Sequence, residues 1–153
     1  MKPYSTLHEI TARLDRVFEV SDGIEDDEIK SHLSRYLCVL TSGYIEESVK
    51  ILTRDYVSIN SSPFISNHLN SSIGNLSNIN SEKLCQLLNS FSGSWRESFE
   101  NVLTDSEKDA IDSVVANRHL IAHGINVGIS YIRIKEWHKE IKRVVEKIKA
   151  IMK

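Results

Sequence analysis

Residues 104–124 read TDSEKDAIDSVVANRHLIAHG. Thr104-Asp105-Ser106-Glu107 has the spacing of a capping box, in which a hydroxyl and a carboxylate satisfy the orphan amides of a helix start. Ile111, Val114, Val115, Ile121 and Ala122 then gather on one side of a wheel of about 100° per residue. Gly124 suits the left-handed residue that ends a helix, so the stretch predicts a helix running to about His123. Arg118 falls in the middle of the apolar side. A guanidinium keeps its proton, and burying it alone is costly. Arg118 must therefore face a partner acid, line a wet cleft or lie at a subunit interface.

Helical periodicity extends outward in both directions, and no period-2 run interrupts it. Leu7, Ile10, Leu14, Val17 and Phe18 place a first helix from Tyr4 to about Val20, ended by Ser21-Asp22-Gly23. A long second helix spans about Asp27 to Val57, with Leu33, Tyr36, Leu37, Leu40, Tyr44 and Ile51 as its buried stripe. Residues 58–81 are rich in Ser and Asn; they read as an ordered excursion or loop, with a short helix from Pro63 to Asn70. Helix resumes from Ser81 to Phe91, breaks at Gly93, and continues through Trp95 and Phe99. The last helix covers about Ser130 to Met152. Its apolar face holds Ile134, Trp137, Ile141, Val144, Val145, Ile148 and Ile151. The expected fold is all-α, a bundle of about five to seven helices, two of them long, in a single domain over 1–153.

Glu47 lies on the buried row of the second helix, between Tyr44 and Ile51. An acid stands where an apolar residue belongs, as a base does at Arg118, and pairing them would offset the desolvation of both. The expectation is a Glu47–Arg118 contact, within a chain or across a dimer. The alternatives are that Glu47 snorkels to water or that the helix phase slips.

His119 and His123 are four apart and share a face beside Asp112. Histidine can carry protons to and from a ribose 2'-hydroxyl, water or a leaving oxygen. A fixed guanidinium stabilises charge building on phosphate oxygens. Together they suit phosphodiester cleavage without a metal. The plainer alternative is a cation favoured by the helix's negative end, beside a chance histidine pair.

Asn117-Arg118-His119-Leu120-Ile121-Ala122-His123-Gly124 resembles the signature of the HEPN superfamily: arginine, four to six residues, then histidine, with a polar residue often after the arginine. Its place at the end of a late helix, before one long closing helix, also matches. Tyr44-Ile45-Glu46-Glu47 is similar to the acidic element of many such domains, and the Asn75–Trp95 stretch resembles the RiboL-PSP subgroup. The resemblance covers most of the chain, but only the arginine–histidine motif is sharp. It implies a homodimer in which two motifs face one cleft, and an RNA-cleaving toxin or defence effector. Arg118 would then orient the phosphate and His123 would transfer protons. His119 would be an auxiliary polar group, with Asn117 and Glu47 in support. One subgroup carries a tyrosine two residues past the histidine, modified by a nucleotidyltransferase antitoxin. Ile125 stands there, which puts that regulation in doubt.

The remaining signals bound the function. A net charge of -2 over 153 residues gives nucleic acid no global attraction, so any grip on RNA has to be local. Lys135, Lys139, Lys142, Arg143, Lys147 and Lys149 form either the solvated face of the last helix or an RNA-tracking surface. Cys38 and Cys85, far apart and without a CxxC, read as reduced core thiols of a cytoplasmic protein. The opening Met1-Lys2-Pro3-Tyr4 has no secretory character, and no run approaches the roughly 18 apolar residues of a membrane span. The Asn60, Asn70 and Asn75 glycosylation matches are then accidental. Asp105, Glu107 and Asp109 read as a solvated helix start rather than metal ligands, and no metal or cofactor is expected. Besides the ribonuclease, two readings stay open: a non-catalytic helical interaction module, or the neutralising member of a toxin–antitoxin pair. A cognate antitoxin or regulatory protein is a possible partner in the first.

Overall fold

A computed structural model describes residues 5–153. The expected helix start at Tyr4 and the reading of Met1–Tyr4 lie outside those residues. Seven helices and no strand occur among the described residues: α1 (Leu7–Asp22), α2 (Asp27–Asn60), α3 (Pro63–Gly74), α4 (Ser81–Phe91), α5 (Gly93–Val102), α6 (Asp105–Ala122) and α7 (Tyr131–Ile151). The molecule is an all-α bundle whose two longest members are α2, of 34 residues, and α7, of 21.

The starts of the helices are written in their caps. Thr6 with Glu9 and Thr104 with Glu107 form capping boxes on α1 and α6. Asp26, Ser62, Asn80 and Ser130 cap α2, α3, α4 and α7 with side-chain oxygens. Ser92 both ends α4 and caps α5, so the break falls one residue before Gly93, which instead opens α5. The excursion over 58–81 is mostly helix: α2 runs three residues past Val57 and α3 reaches Gly74, four past Asn70.

α2 is the axis of the bundle, packing against α1, α3, α6 and α7. It tolerates neighbours on several sides because Ser34, Cys38, Thr41, Ser48 and Thr53 are small and fully buried. Cys38 Sγ comes within 3.6 Å of the Val114 carbonyl oxygen, a measure of how closely α2 and α6 approach. Phe99 from α5, Ile111 and Val114 from α6, and Ile134, Ile141, Val144 and Ile148 from α7 fill the same core as Leu37, Ile45 and Val49. Burying each such side chain is worth about 1.5–3 kcal/mol. Tyr36, expected inside, is 55% exposed. It shares with Gly43 and Glu47 an exposed side of α2 along a groove beside α1, which a search for one buried stripe mistakes for core.

Two titratable side chains are buried as well. Glu107 is not a solvated cap but 2% exposed, its carboxylate held by Lys147 Nζ at 2.7 and 2.8 Å. His138, one turn from Ile134 and Ile141 on α7, is 4% exposed and stacks on Phe18 at a ring separation of 4.3 Å. Its Nε2 lies 2.9 Å from the Asp15 carboxylate, which Lys142 also grips at 3.0 Å. Its Nδ1 is buried and has no hydrogen-bond partner among the described residues.

Burial holds His138 below its ordinary value of 6.5, outweighing the opposing pull of Asp15. The folded protein resists the second proton, whereas the unfolded chain accepts it near that ordinary value. This contribution to stability is therefore full above about pH 6.5 and is lost as the pH falls toward the folded value. Urea melts at pH 7.5 and 5.5 should show the loss in the wild type and a smaller one in His138→Phe. Equal losses in both proteins would remove His138 as the cause.

Candidate active site at the end of α6

α6 delivers Arg118, His119 and His123 to one end of the bundle. Its last turn closes as a Schellman motif: the Ile125 N–H donates to Leu120 O and the Gly124 N–H to Ile121 O, both at 3.0 Å. Gly124 takes φ +72, a conformation that glycine adopts freely. His123 is the cap residue between helix and turn, and it is exposed together with His119, Ala122 and Gly124. The His119 and His123 rings meet edge to face, 4.4 Å between centroids and 64° apart. Two imidazoles thus share a solvent-facing patch, and Arg118, half-buried, directly precedes His119 in the same helix.

Arg118 forms no ion pair among the described residues. Its Nη1 donates to Asn78 Oδ1 at 3.2 Å. Asn78 lies in the α3–α4 connection, and its backbone N–H donates to Glu46 Oε2 on α2 at 3.3 Å. Lys50, one turn on and 8% exposed, donates to Glu46 Oε1 at 3.0 Å. A chain of contacts thus runs Lys50–Glu46–Asn78–Arg118, from the middle of α2 to the end of α6.

The expected Glu47–Arg118 pair is not made within the chain. Glu47 has its side chain 51% exposed and reaches Lys50 at 3.5 Å. It lines an apolar groove between α1 and α2 with Tyr36, Leu40 and Gly43. The acid turned toward the arginine is its neighbour Glu46, about 100° around the helix, and it acts through an asparagine.

Asp112 is also drawn away from the histidines. Its carboxylate accepts from the Ser81 N–H and from Ser81 Oγ, both at 2.8 Å, which ties the start of α4 to α6. Those bonds, with Lys83 Nζ on Ser77 O at 3.2 Å, anchor the connection that carries Asn78. Asn117 spends its amide on Ser113 O at 2.8 Å, a bond internal to α6.

The lysine face of α7 is largely committed. Lys135 binds Asp22, Lys142 binds Asp15, Arg143 binds Glu140 and Lys147 binds Glu107. Four of the six cations on that face are thus already paired with acids, which weakens the attraction they offer to RNA. The sequence signalled Glu46 and Lys50 through their four-residue spacing, with the acid on the N-terminal side. Nothing in the polar run Asn75–Asn80 singles out Asn78.

Among the described residues no group of three or more His, Cys, Asp or Glu is placed to hold a metal ion, and no helix is long and apolar enough to cross a membrane. Searches of curated proteins and of solved structures return no match. The family model of RiboL-PSP-HEPN, by contrast, matches residues 5–153, nearly the whole chain and with it the Arg118–His123 turn and the Asn75–Trp95 stretch. The chain belongs to the RiboL-PSP-HEPN family.

Proposed function

We propose that the chain is a metal-independent endoribonuclease of HEPN type, a single cytoplasmic domain over 1–153 acting as a toxin or defence effector. Two copies would set their Arg118–His123 turns around one cleft, with RNA between them and a cognate antitoxin or regulatory protein as a possible further partner. The observation that carries this reading is a guanidinium that forms no ion pair among the described residues, within five residues of two exposed imidazoles at the end of the same helix.

The chemistry follows from those groups. His123, as general base, takes the proton of a ribose 2'-hydroxyl while that oxygen attacks the adjacent phosphorus. Arg118 stabilises the negative charge that builds on the non-bridging oxygens. The bond to the 5'-oxygen breaks, and that oxygen takes a proton from a second imidazole: His119, or a histidine of the facing copy. The products are a 2',3'-cyclic phosphate and a 5'-hydroxyl, and no cofactor enters the balance.

Wild type and Arg118→Ala should be incubated with total RNA in the presence of a chelator, alongside a mass measurement of oligomeric state. Cleavage by the wild type, reduced a hundredfold or more in Arg118→Ala, is the expected result. A monomer at micromolar concentration that leaves RNA intact would favour the non-catalytic module instead.

A further inference from the structure

We infer that Asn78 is a positioning residue for Arg118, one that holds the guanidinium in place without cancelling its charge; the inference rests on the ribonuclease reading of that arginine.

Three features of Asn78 point the same way. Its φ of +49 is the only positive value at a non-glycine residue among those described. Asparagine is one of the few side chains that enters this region readily, and such conformations persist where the surroundings over-determine them. The surroundings here do so: the Asn78 N–H is fixed by Glu46, Glu46 is fixed by the buried Lys50, and both flanks of the connection are pinned through Lys83 to Ser77 and Asp112 to Ser81. The product of this bracing is one aimed group, a carbonyl oxygen 3.2 Å from Arg118 Nη1.

The chemistry of that group matters more than its position. A half-buried guanidinium is most simply satisfied by a carboxylate, which accepts two parallel hydrogen bonds and neutralises it. Glu46 stands on the adjoining helix, yet its oxygens are taken by Lys50 and the Asn78 N–H. Arg118 forms no ion pair among the described residues. The amide therefore works as a neutral spacer. It fixes one nitrogen of the guanidinium and leaves the positive charge, and the other N–H donors, for an anion arriving from solvent. A phosphodiester oxygen is such an anion.

Asn78→Asp and Asn78→Gly separate holding from insulating. Both residues tolerate the left-handed backbone, so both variants should fold. Aspartate keeps the acceptor but adds a charge that pairs with Arg118. Its melting temperature should equal or exceed that of the wild type, while kcat/KM for RNA falls about tenfold or more, the worth of one charge-assisted contact. Glycine removes the acceptor but leaves the cation free. KM should then change little and kcat should fall, because the guanidinium is present but no longer aimed.

A readout independent of cleavage is the Arg118 side-chain N–H signals in nitrogen-edited NMR, titrated with inorganic phosphate. They should shift in the wild type and in Asn78→Gly, and stay unmoved in Asn78→Asp. An Asn78→Asp protein that binds phosphate through Arg118 and cleaves like the wild type would overturn the inference, as would activity losses that only track lost stability. Should the wild type cut no RNA, the ribonuclease reading falls, and the phosphate titration still decides whether Asn78 insulates the arginine.

Discussion

His123→Ala should lower RNA cleavage by a factor of about 10²–10⁴, the span that removing a positioned general acid or base produces, with no matching loss of stability. The separation between the two effects is built into the end of α6. His123 is exposed, and what it gives the fold is its backbone: its N–H donates to His119 O and Leu120 O, each at 3.2 Å, bonds that alanine keeps. Truncation at an exposed position of this kind stays within about 0.5 kcal/mol. The Schellman turn at Gly124 is independent of the imidazole. The variant is thus a folded protein lacking one proton carrier. His119→Ala serves as the comparison, because the two rings lean on each other at 4.4 Å and either could receive the first proton. A larger loss in His123→Ala than in His119→Ala assigns His123 the main role. Undiminished cleavage by purified His123→Ala would remove the proposed proton transfer, whatever Arg118 does.

The parts of this protein legible in its sequence were those governed by interactions between near neighbours. Thr104 with Glu107 and the glycine at 124 marked both ends of α6, because a cap is satisfied within four residues of itself. The apolar row of α7 was legible for a related reason, since each of its members faces the same core. The errors arose where a residue's partner is distant in the chain. Periodicity could not tell Glu46 from Glu47, because α2 is covered on several sides and its open side, at Tyr36, Gly43 and Glu47, follows the same helical spacing as a buried one. Asn78 was hidden for a second reason. Its role depends on a left-handed backbone and a partner 40 residues away, and one asparagine among many in a polar run carries neither. His138 and Glu107 show the limit of polarity as a guide to burial. Glu107 reads as solvated, yet it and His138 are both interior, because Lys147 and Asp15 approach from other helices to meet them.

Lys147→Met should cost on the order of 3 kcal/mol at neutral pH, the penalty of stranding one member of a buried ion pair. Glu107 is almost fully enclosed, and its carboxylate serves two purposes. It accepts the Thr104 N–H at 3.0 Å to complete the cap of α6, and it meets Lys147 Nζ at 2.7 Å. Lys147 also donates to Val102 O at 2.7 Å, so it joins the ends of α5, α6 and α7 at one point. Burial pushes the Glu107 carboxyl up, but Lys147 and the Thr104 bonds outweigh it and hold the group below its ordinary value of 4.5. Its stabilising share is present above that value and is lost as the pH falls through the folded one. Without the ammonium the balance reverses: burial dominates, the carboxyl titrates above its ordinary value, and the variant should recover part of its deficit as the pH falls from 7 toward 5. Urea melts at those two pH values decide the matter, and Glu107→Gln supplies the control. The neutral amide keeps a cap acceptor and needs no counter-ion, so Lys147→Met should cost far less in a Glu107→Gln background than alone. A cost that was the same in both backgrounds would mean that Lys147 contributes through its stem and its Val102 bond, with the carboxylate incidental.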